Sequence, residues 1–142
     1  MIWVPTRLAP GGALPEYKSE GAAGLDLRAH LPHLRILWPL VPTRIPTGVA
    51  MAIPDGFCGH IVGRSGLAMR GLCMLGGLID SDYRGEMQAI VVLLRLWPMI
   101  VRPGDRIAQI VLVPAERANL SLHLPMTSTA RGTNGLGSTG VR

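Results

Sequence analysis

The sequence predicts an all-β sandwich or barrel. Twelve prolines and 18 glycines break the 142 residues into short segments. Those segments are rich in Leu, Val and Ile, and apolar spacing at three and four residues is scarce. Short strands bounded by turn formers give this pattern; amphipathic helices do not.

The first predicted strand is Leu25–Ala29, where Leu25, Leu27 and Ala29 alternate with Asp26 and Arg28 as in a half-buried strand. Asp26 reads there as a surface residue unless an arginine or an anion-bound metal stands beside it. Further strands are predicted at Leu34–Leu40, Ile45–Ile53 and Phe57–Val62. GRSGLA, Gly63–Ala68, then leaves a strand and enters a short helix expected over Ser65–Arg70, with Ser65 as its N-cap. Backbone N–H groups, a hydroxyl and a guanidinium meet in it, which makes a workable phosphate cradle. It is not a Walker loop, because the spacing differs and no lysine follows. Ser65 also lacks the frame of a nucleophile elbow.

Strands follow at Leu72–Leu75 and Gly85–Leu96. Between them, GGLIDSDYRGE (Gly76–Glu86) holds Asp80, Asp82 and Glu86, three of the nine acidic residues. Glycines at both ends place this cluster on or beside a tight hairpin. Arg106–Pro114 is the next strand. In GDRIAQIV, Gly104–Val111, Gln109 faces away from the apolar positions, and Asp105–Arg106 reads as a turn with an ion pair. The last predicted strand is Ser121–Leu124. Residues 1–126 are expected to form one domain, long enough for a real core. Residues 127–142 read as a mobile, glycine-rich C-terminal arm. Within it, RGTNGLGSTG (Arg131–Gly140) can wrap an anion through its backbone amides.

Composition narrows the function classes. Hydrophobic residues make up 48% and charged ones 16%, which suits a chain that buries further surface against copies of itself. The net charge is +5, and Lys18 is the only lysine among 14 basic residues. The arginines are scattered singly, which argues against duplex binding and for discrete contacts with an anion. Cys58 and Cys73 form neither a disulfide framework nor a CxxC motif and are expected as small buried residues. His30, His33, His60 and His123 have no zinc spacing. The segment MIWVPTRLAPGG lacks the pattern of a signal peptide, and apolar runs such as Ala89–Leu94 are too short to span a bilayer. A soluble, cytoplasmic protein with no membrane or direct nucleic-acid partner is expected.

AGLDLRA (Ala23–Ala29), GRSGLA, GLIDSDYRGE, GDRIAQIV and the glycine-rich arm stand in an order and spacing that resembles the trimeric deoxyuridine triphosphate nucleotidohydrolases (dUTPases). The likeness runs from Ala23 to Gly140. It implies a distorted jelly-roll, a β-clip-like barrel, assembled as a homotrimer with active sites between subunits. It implies hydrolysis of dUTP to dUMP and pyrophosphate with Mg2+, limiting uracil in DNA and supplying dUMP for dTMP synthesis. Each site would combine the GLIDSDYRGE motif of one chain, the phosphate-binding motifs of a second and the arm of a third.

The resemblance also implies roles. Asp80 would activate the water that attacks the α-phosphorus, and Tyr83 would lie against the deoxyribose. The backbone around Leu78 and Ile79 would contact uracil. Arg64, Ser65 and Gly66, helped by Gln109, would hold phosphate oxygens. Asp26 would meet Mg2+ only through water. Arg131 would neutralise the γ-phosphate while Leu136, Gly137 and Ser138 close over the nucleotide. Three departures from the family stand out: Leu136 replaces the usual stacking aromatic, Gly63 replaces a proline, and the segment from Ser65 to Asp80 is short. The asparagine usual in that segment appears as Met74 or is absent. On the same fold, the nearest rival is a dCTP deaminase, against which Ile79–Tyr83 and the glycine-rich arm both argue. A nucleotide-binding regulator or an inert trimer is the rival of a different class.

Overall fold

In the computed structural model, residues 2–135 are described. Among them lie β1 (Thr6–Leu8), β2 (Leu25–Arg28), β3 (Arg35–Leu37), β4 (Thr43–Pro46), β5 (Val49–Met51), β6 (Phe57–Val62), α1 (Ser65–Ala68), β7 (Leu72–Gly76), β8 (Leu78–Ile79), β9 (Gln88–Leu93), β10 (Met99–Val101) and β11 (Arg106–Pro114). All strand pairings are antiparallel. A four-stranded sheet runs β2-β11-β6-β8 and a three-stranded one β4-β9-β7, with the pairs β1-β5 and β10-β3 beside them. Leu27, Ile61 and Ile110 of the first sheet, Ile45 and Val91 of the second, and Leu37 and Met99 of the last pair enter one core. The all-β expectation holds, and the architecture is a distorted jelly-roll with one short helix.

The departures have physical causes. The expected strand Ile45–Ile53 is two strands, because the chain turns at Gly48 and changes partner from β9 to β1. Gly48 has φ +70°, and a Cβ there would lie 2.8 Å from His30 Cγ, so the corner requires glycine. Thr47, 1% exposed, seals the same corner. Its hydroxyl donates to Met87 O at 2.7 Å, and Gly48 N donates to Glu86 Oε1 at 2.6 Å.

Leu34–Leu40 shortens to β3, since the chain turns after Trp38 and Leu40 adopts φ 62°. Gly85–Leu96 shortens to β9. Arg95 holds the residues after it in a loop by donating to Trp97 O and Pro98 O at 3.0 and 2.8 Å. Ser121–Leu124 is not a strand, and Leu120, Leu122, Leu124 and Met126 stand almost wholly exposed. An extended segment needs a neighbour's backbone groups to form a ladder, and none is supplied within the described chain. β1, β8 and β10 leave no strand pattern in the sequence: they are two or three residues long, and β1 is exposed throughout. Ser65 is not the N-cap of the helix. Arg64 occupies that position, without a side-chain capping bond.

The Gly76-Gly77 pair does not make the hairpin that the sequence predicts. β7 pairs with β9 and β8 with β6, so the chain crosses between sheets at Gly77. Ile61 N donates to Gly77 O at 2.7 Å, and a Cβ on Gly77 would collide with Ile61 O. Gly77→Ala is therefore expected to cost about 1–3 kcal/mol, the range for overpacking a tight contact. At Gly76 the added Cβ would meet only Ile90 Cδ1 at 3.8 Å, so Gly76→Ala serves as the near-neutral control. Urea unfolding midpoints of the two variants test this, and equal midpoints would contradict it.

Candidate active site

Asp26 organises the first cluster. It sits on β2 opposite Gln109 on β11, and Gln109 registers with Val62 at the end of β6. The expected surface aspartate is in fact 11% exposed at its side chain, paired to Arg106 Nη1 at 3.0 Å and Arg64 Nε at 3.4 Å. Arg106 thus pairs across the sheet and not within its own turn, whereas Asp105 Oδ2 accepts from Arg102 N at 2.8 Å. Arg64 also donates through Nη1 to Arg106 O at 2.9 Å, and Gln109 Nε2 to Gly63 O at 3.3 Å. Gly24 makes room for this arrangement, because a Cβ there would stand 2.7 Å from Gln109 Oε1.

These groups line a cavity of about 490 Å3 with Lys18, Ser65, Gly66 and Arg70. Four cations face it against the single carboxylate of Asp26. Ser65 and Gly66 open the helix, where backbone N–H groups have no intrahelical acceptor. The cluster suits a polyanion. At its edge, the Lys18 ammonium, hydrogen-bonded at 2.6 Å, holds the exposed Glu16 carboxyl below its ordinary range, with its charge adding to the effect. Asp26→Ala is expected to destabilise the fold by about 1–2 kcal/mol, the value of charge-assisted hydrogen bonds discounted for two part-exposed guanidinium groups. Thermal unfolding of the variant checks this; an unchanged midpoint would remove Asp26 as an organiser.

A second cluster surrounds the acidic motif. Tyr83 N donates to Asp80 O at 3.2 Å, closing a turn. Arg84 Nη1 clamps that turn through Ser81 O at 2.6 Å and Tyr83 O at 2.8 Å. Tyr83 Oη donates to Glu86 O at 3.0 Å, and a Cβ on Gly85 would collide with that hydroxyl. Glycine at 85 therefore fixes where the ring lies. Leu78, Ile79, Asp80, Tyr83, Glu86 and Gln88, with Arg44 and Ile90, line a cavity of about 340 Å3. Asp80 also faces an adjoining space of about 920 Å3 with Asp55, Asp82, Glu116 and Arg117. The Asp80 carboxylate is exposed where these two cavities meet, and it makes no hydrogen bond or ion pair among the described residues.

Arg64, Ser65, Gly66, Gln109 and Asp26 are thus brought together, as are Leu78, Ile79, Asp80 and Tyr83. The two cavities share no lining residue. Arg131 is exposed, donates through Nε to Asn134 O at 3.0 Å and lines neither. Leu136, Gly137 and Ser138 lie outside the described residues. Lys18, Arg70, Arg106 and Arg44 line the cavities without having been singled out for them. The GDRIAQIV motif is the available signal for Arg106; Arg44 depends on sheet register, and Lys18 and Arg70 lie in turns and bends outside the strands.

An antiparallel jelly-roll with a guanidinium-lined cavity and a separate carboxylate–tyrosine cavity defines a class of β protein suited to polyanionic ligands. A family model described as dUTPase matches residues 11–140. A deoxyuridine 5'-triphosphate nucleotidohydrolase of Anaeromyxobacter sp. (strain Fw109-5) is 47% identical over 130 residues, covering 89% of this chain and 87% of its own. Its namesake from Chlamydia muridarum (strain MoPn / Nigg) is 41% identical over 138 residues, covering 94% and 95%. The chain belongs to the dUTPase family.

Solved structures agree on the fold. A mutant dUTPase of Staphylococcus bacteriophage 80alpha with dUpNHpp matches with TM-score 0.83 at 23% identity, over 99% of this chain and 100% of its own. A mutant dUTPase from phage phi11 of S. aureus, described with a structural Mg(II) ion, matches with TM-score 0.81 at 22% identity, over 89% and 100%.

Proposed function

We propose that this chain hydrolyses dUTP to dUMP and pyrophosphate, and that Asp80 supplies the general base. Family membership carries the reaction, and the position of Asp80 beside Tyr83 supports its role. The water oxygen bonds to the α-phosphorus as its proton passes to the Asp80 carboxylate. The bond from that phosphorus to the α,β-bridging oxygen breaks, and pyrophosphate leaves. A base needs hydrogen-bond reach to the water, not a covalent role.

Tyr83 lies against the deoxyribose and leaves no space for a 2′-hydroxyl. Backbone groups around Leu78 and Ile79 contact the base. Arg64, the first helical residues Ser65 and Gly66, and Gln109 hold phosphate oxygens. Arg131 meets the γ-phosphate, and Leu136, Gly137 and Ser138 cover the nucleotide. Residues 1–126 act as the domain and 127–142 as the arm.

Among the described residues no group of three or more His, Cys, Asp or Glu could hold a metal ion. The phosphate cavity offers one carboxylate, Asp26. This donor set fits Mg2+, which keeps several waters and uses substrate phosphates. Asp26 retains lone pairs beyond those given to the arginines and would hold a water of that ion. When bound, the ion would neutralise charge on the triphosphate.

Asp80 and Arg64 line cavities with no residue in common, which supports a site completed by another copy of the chain. A homotrimer would supply that copy. The exposed row Leu120, Leu122, Leu124 and Met126 has the two-residue alternation of a strand and would find its partner on another subunit. No helix of the described residues is long and apolar enough to cross a membrane. A cytoplasmic enzyme with no nucleic-acid partner is proposed because the substrate is a free nucleotide.

The test is pyrophosphate release from dUTP, dCTP, dTTP and UTP, each with and without Mg2+. The proposal expects release from dUTP, favoured by the metal. Tight dUTP binding without release would support a regulator, and ammonia from dCTP a deaminase.

A further inference from the structure

One wall of the Asp80 cavity has a charged group to which no role is yet assigned. Arg44 on β4 stands opposite Ile90 on β9, and Ile90 stands opposite Gly76 on β7. Cross-strand partners share a face of a sheet. Arg44, Ile90 and Gly76 therefore form one row across the three-stranded sheet, and Gln88 belongs to the same face two residues from Ile90. The chain crosses at Gly77 from the end of that row into Leu78 and Ile79. This brings Arg44 and Gln88 to the cavity that Asp80 and Tyr83 line. Arg44 is exposed, and its guanidinium makes no ion pair or hydrogen bond among the described residues, although its carbonyl accepts from Arg35 at 2.7 Å. Glu86, which lines the same cavity, already has Oε1 engaged by Gly48 N.

We propose that Arg44 is a specificity-determining residue that donates to a carbonyl oxygen of the pyrimidine. The assignment rests on this cavity being the nucleoside site. Only Gly77 separates β7 from β8, and Gly77 O already accepts from Ile61 N. Gly77 O is thus already engaged, and a side-chain donor such as Arg44 would add to the backbone contacts made by Leu78 and Ile79. A guanidinium has donors and no acceptor. It complements the O4 carbonyl of uracil and would meet the 4-amino group of cytosine donor against donor. A site built to hydrogen-bond one group discriminates strongly against the analogue that lacks it.

Arg44→Met and Arg44→Lys, compared with wild type, test this in two ways. Dissociation constants for dUMP and dCMP come from calorimetry and need no turnover; kcat and KM for dUTP and dCTP come from steady-state rates. Arg44→Met should narrow the preference for the uracil nucleotide by about 10- to 150-fold, the range for one hydrogen bond from a charged donor. The change should lie in KM and affinity, and Arg44→Lys should retain part of the preference. An unchanged preference, or equal losses on both bases as expected of a residue that only attracts phosphate, would overturn the assignment. A wild type that prefers dUMP but releases no pyrophosphate from dUTP would instead sink the hydrolase reading, with Arg44 still judged by the binding ratio. A wild type that binds neither monophosphate and shows no difference between dUTP and dCTP in KM would overturn the assignment, while pyrophosphate release alone judges the hydrolase reading.

Discussion

Asp80→Asn should lower dUTP turnover by about 10²- to 10⁴-fold, the contribution usual for a positioned general base. The amide matches the carboxylate in size but has no charge and does not take up the proton of water at neutral pH. Binding should change little, because the phosphate cavity is built from Arg64, Arg106 and Gln109, none of which shares a cavity with Asp80. Folding should also persist. The turn is held by backbone groups and by Arg84, and only the carbonyl of Asp80 takes part, accepting from Tyr83 N at 3.2 Å. The measurement pairs initial rates of pyrophosphate release with the affinity for a non-hydrolysable dUTP analogue. Wild-type turnover in this variant would remove Asp80 from the chemistry. Turnover and affinity lost together would make it a binding group and leave the base unidentified.

What the sequence discloses and what it hides follows from how local each signal is. β6 and β11 have the bounds that their composition predicts, Phe57–Val62 and Arg106–Pro114. Both are inner strands of the four-stranded sheet, and burial from two neighbours dictates their Ile and Val content. β1 and β10 lie in two-stranded pairs, and β8 has two residues, too few for alternation to appear. Ile45–Ile53 reads as one apolar strand because both halves are buried, while its break is a change of strand partner at Gly48, from β9 to β1.

The same distinction governs the site. Asp80 to Tyr83 is legible because its parts are neighbours in the chain. Asp26 alternates like a surface residue, and its burial comes from Arg64 and Arg106, delivered by sheet register from far along the sequence. Arg44 is hidden for the same reason: it joins Asp80 through two strand pairings and a crossing, none of them visible in the residues around it.

Truncation after Thr129 should reduce turnover by about 10²-fold or more while assembly and thermal stability persist. Residues from 127 to 135 are exposed, and the Nε of Arg131 bonds within its own turn, to Asn134 O at 3.0 Å. Removal of those beyond Thr129 therefore takes no described residue from the core and should leave the melting temperature unchanged. Leu120, Leu122, Leu124 and Met126 remain in the shortened chain, so the contacts proposed between copies remain too. Activity is different. The truncation deletes the Arg131 charge and the cover from Leu136 to Ser138, and loss of a single preorganised donor in a water-excluded site already costs about 10²–10³ in turnover. The phosphate cavity would then lie open to bulk water through the chemical step, which weakens the remaining guanidinium contacts. Pyrophosphate rates, light-scattering mass and thermal unfolding, measured on one preparation, divide the outcomes. Full activity in the truncated chain would show that the arm takes no part in the site. A fall in mass together with activity would assign residues beyond Thr129 to assembly, not to closure over the nucleotide.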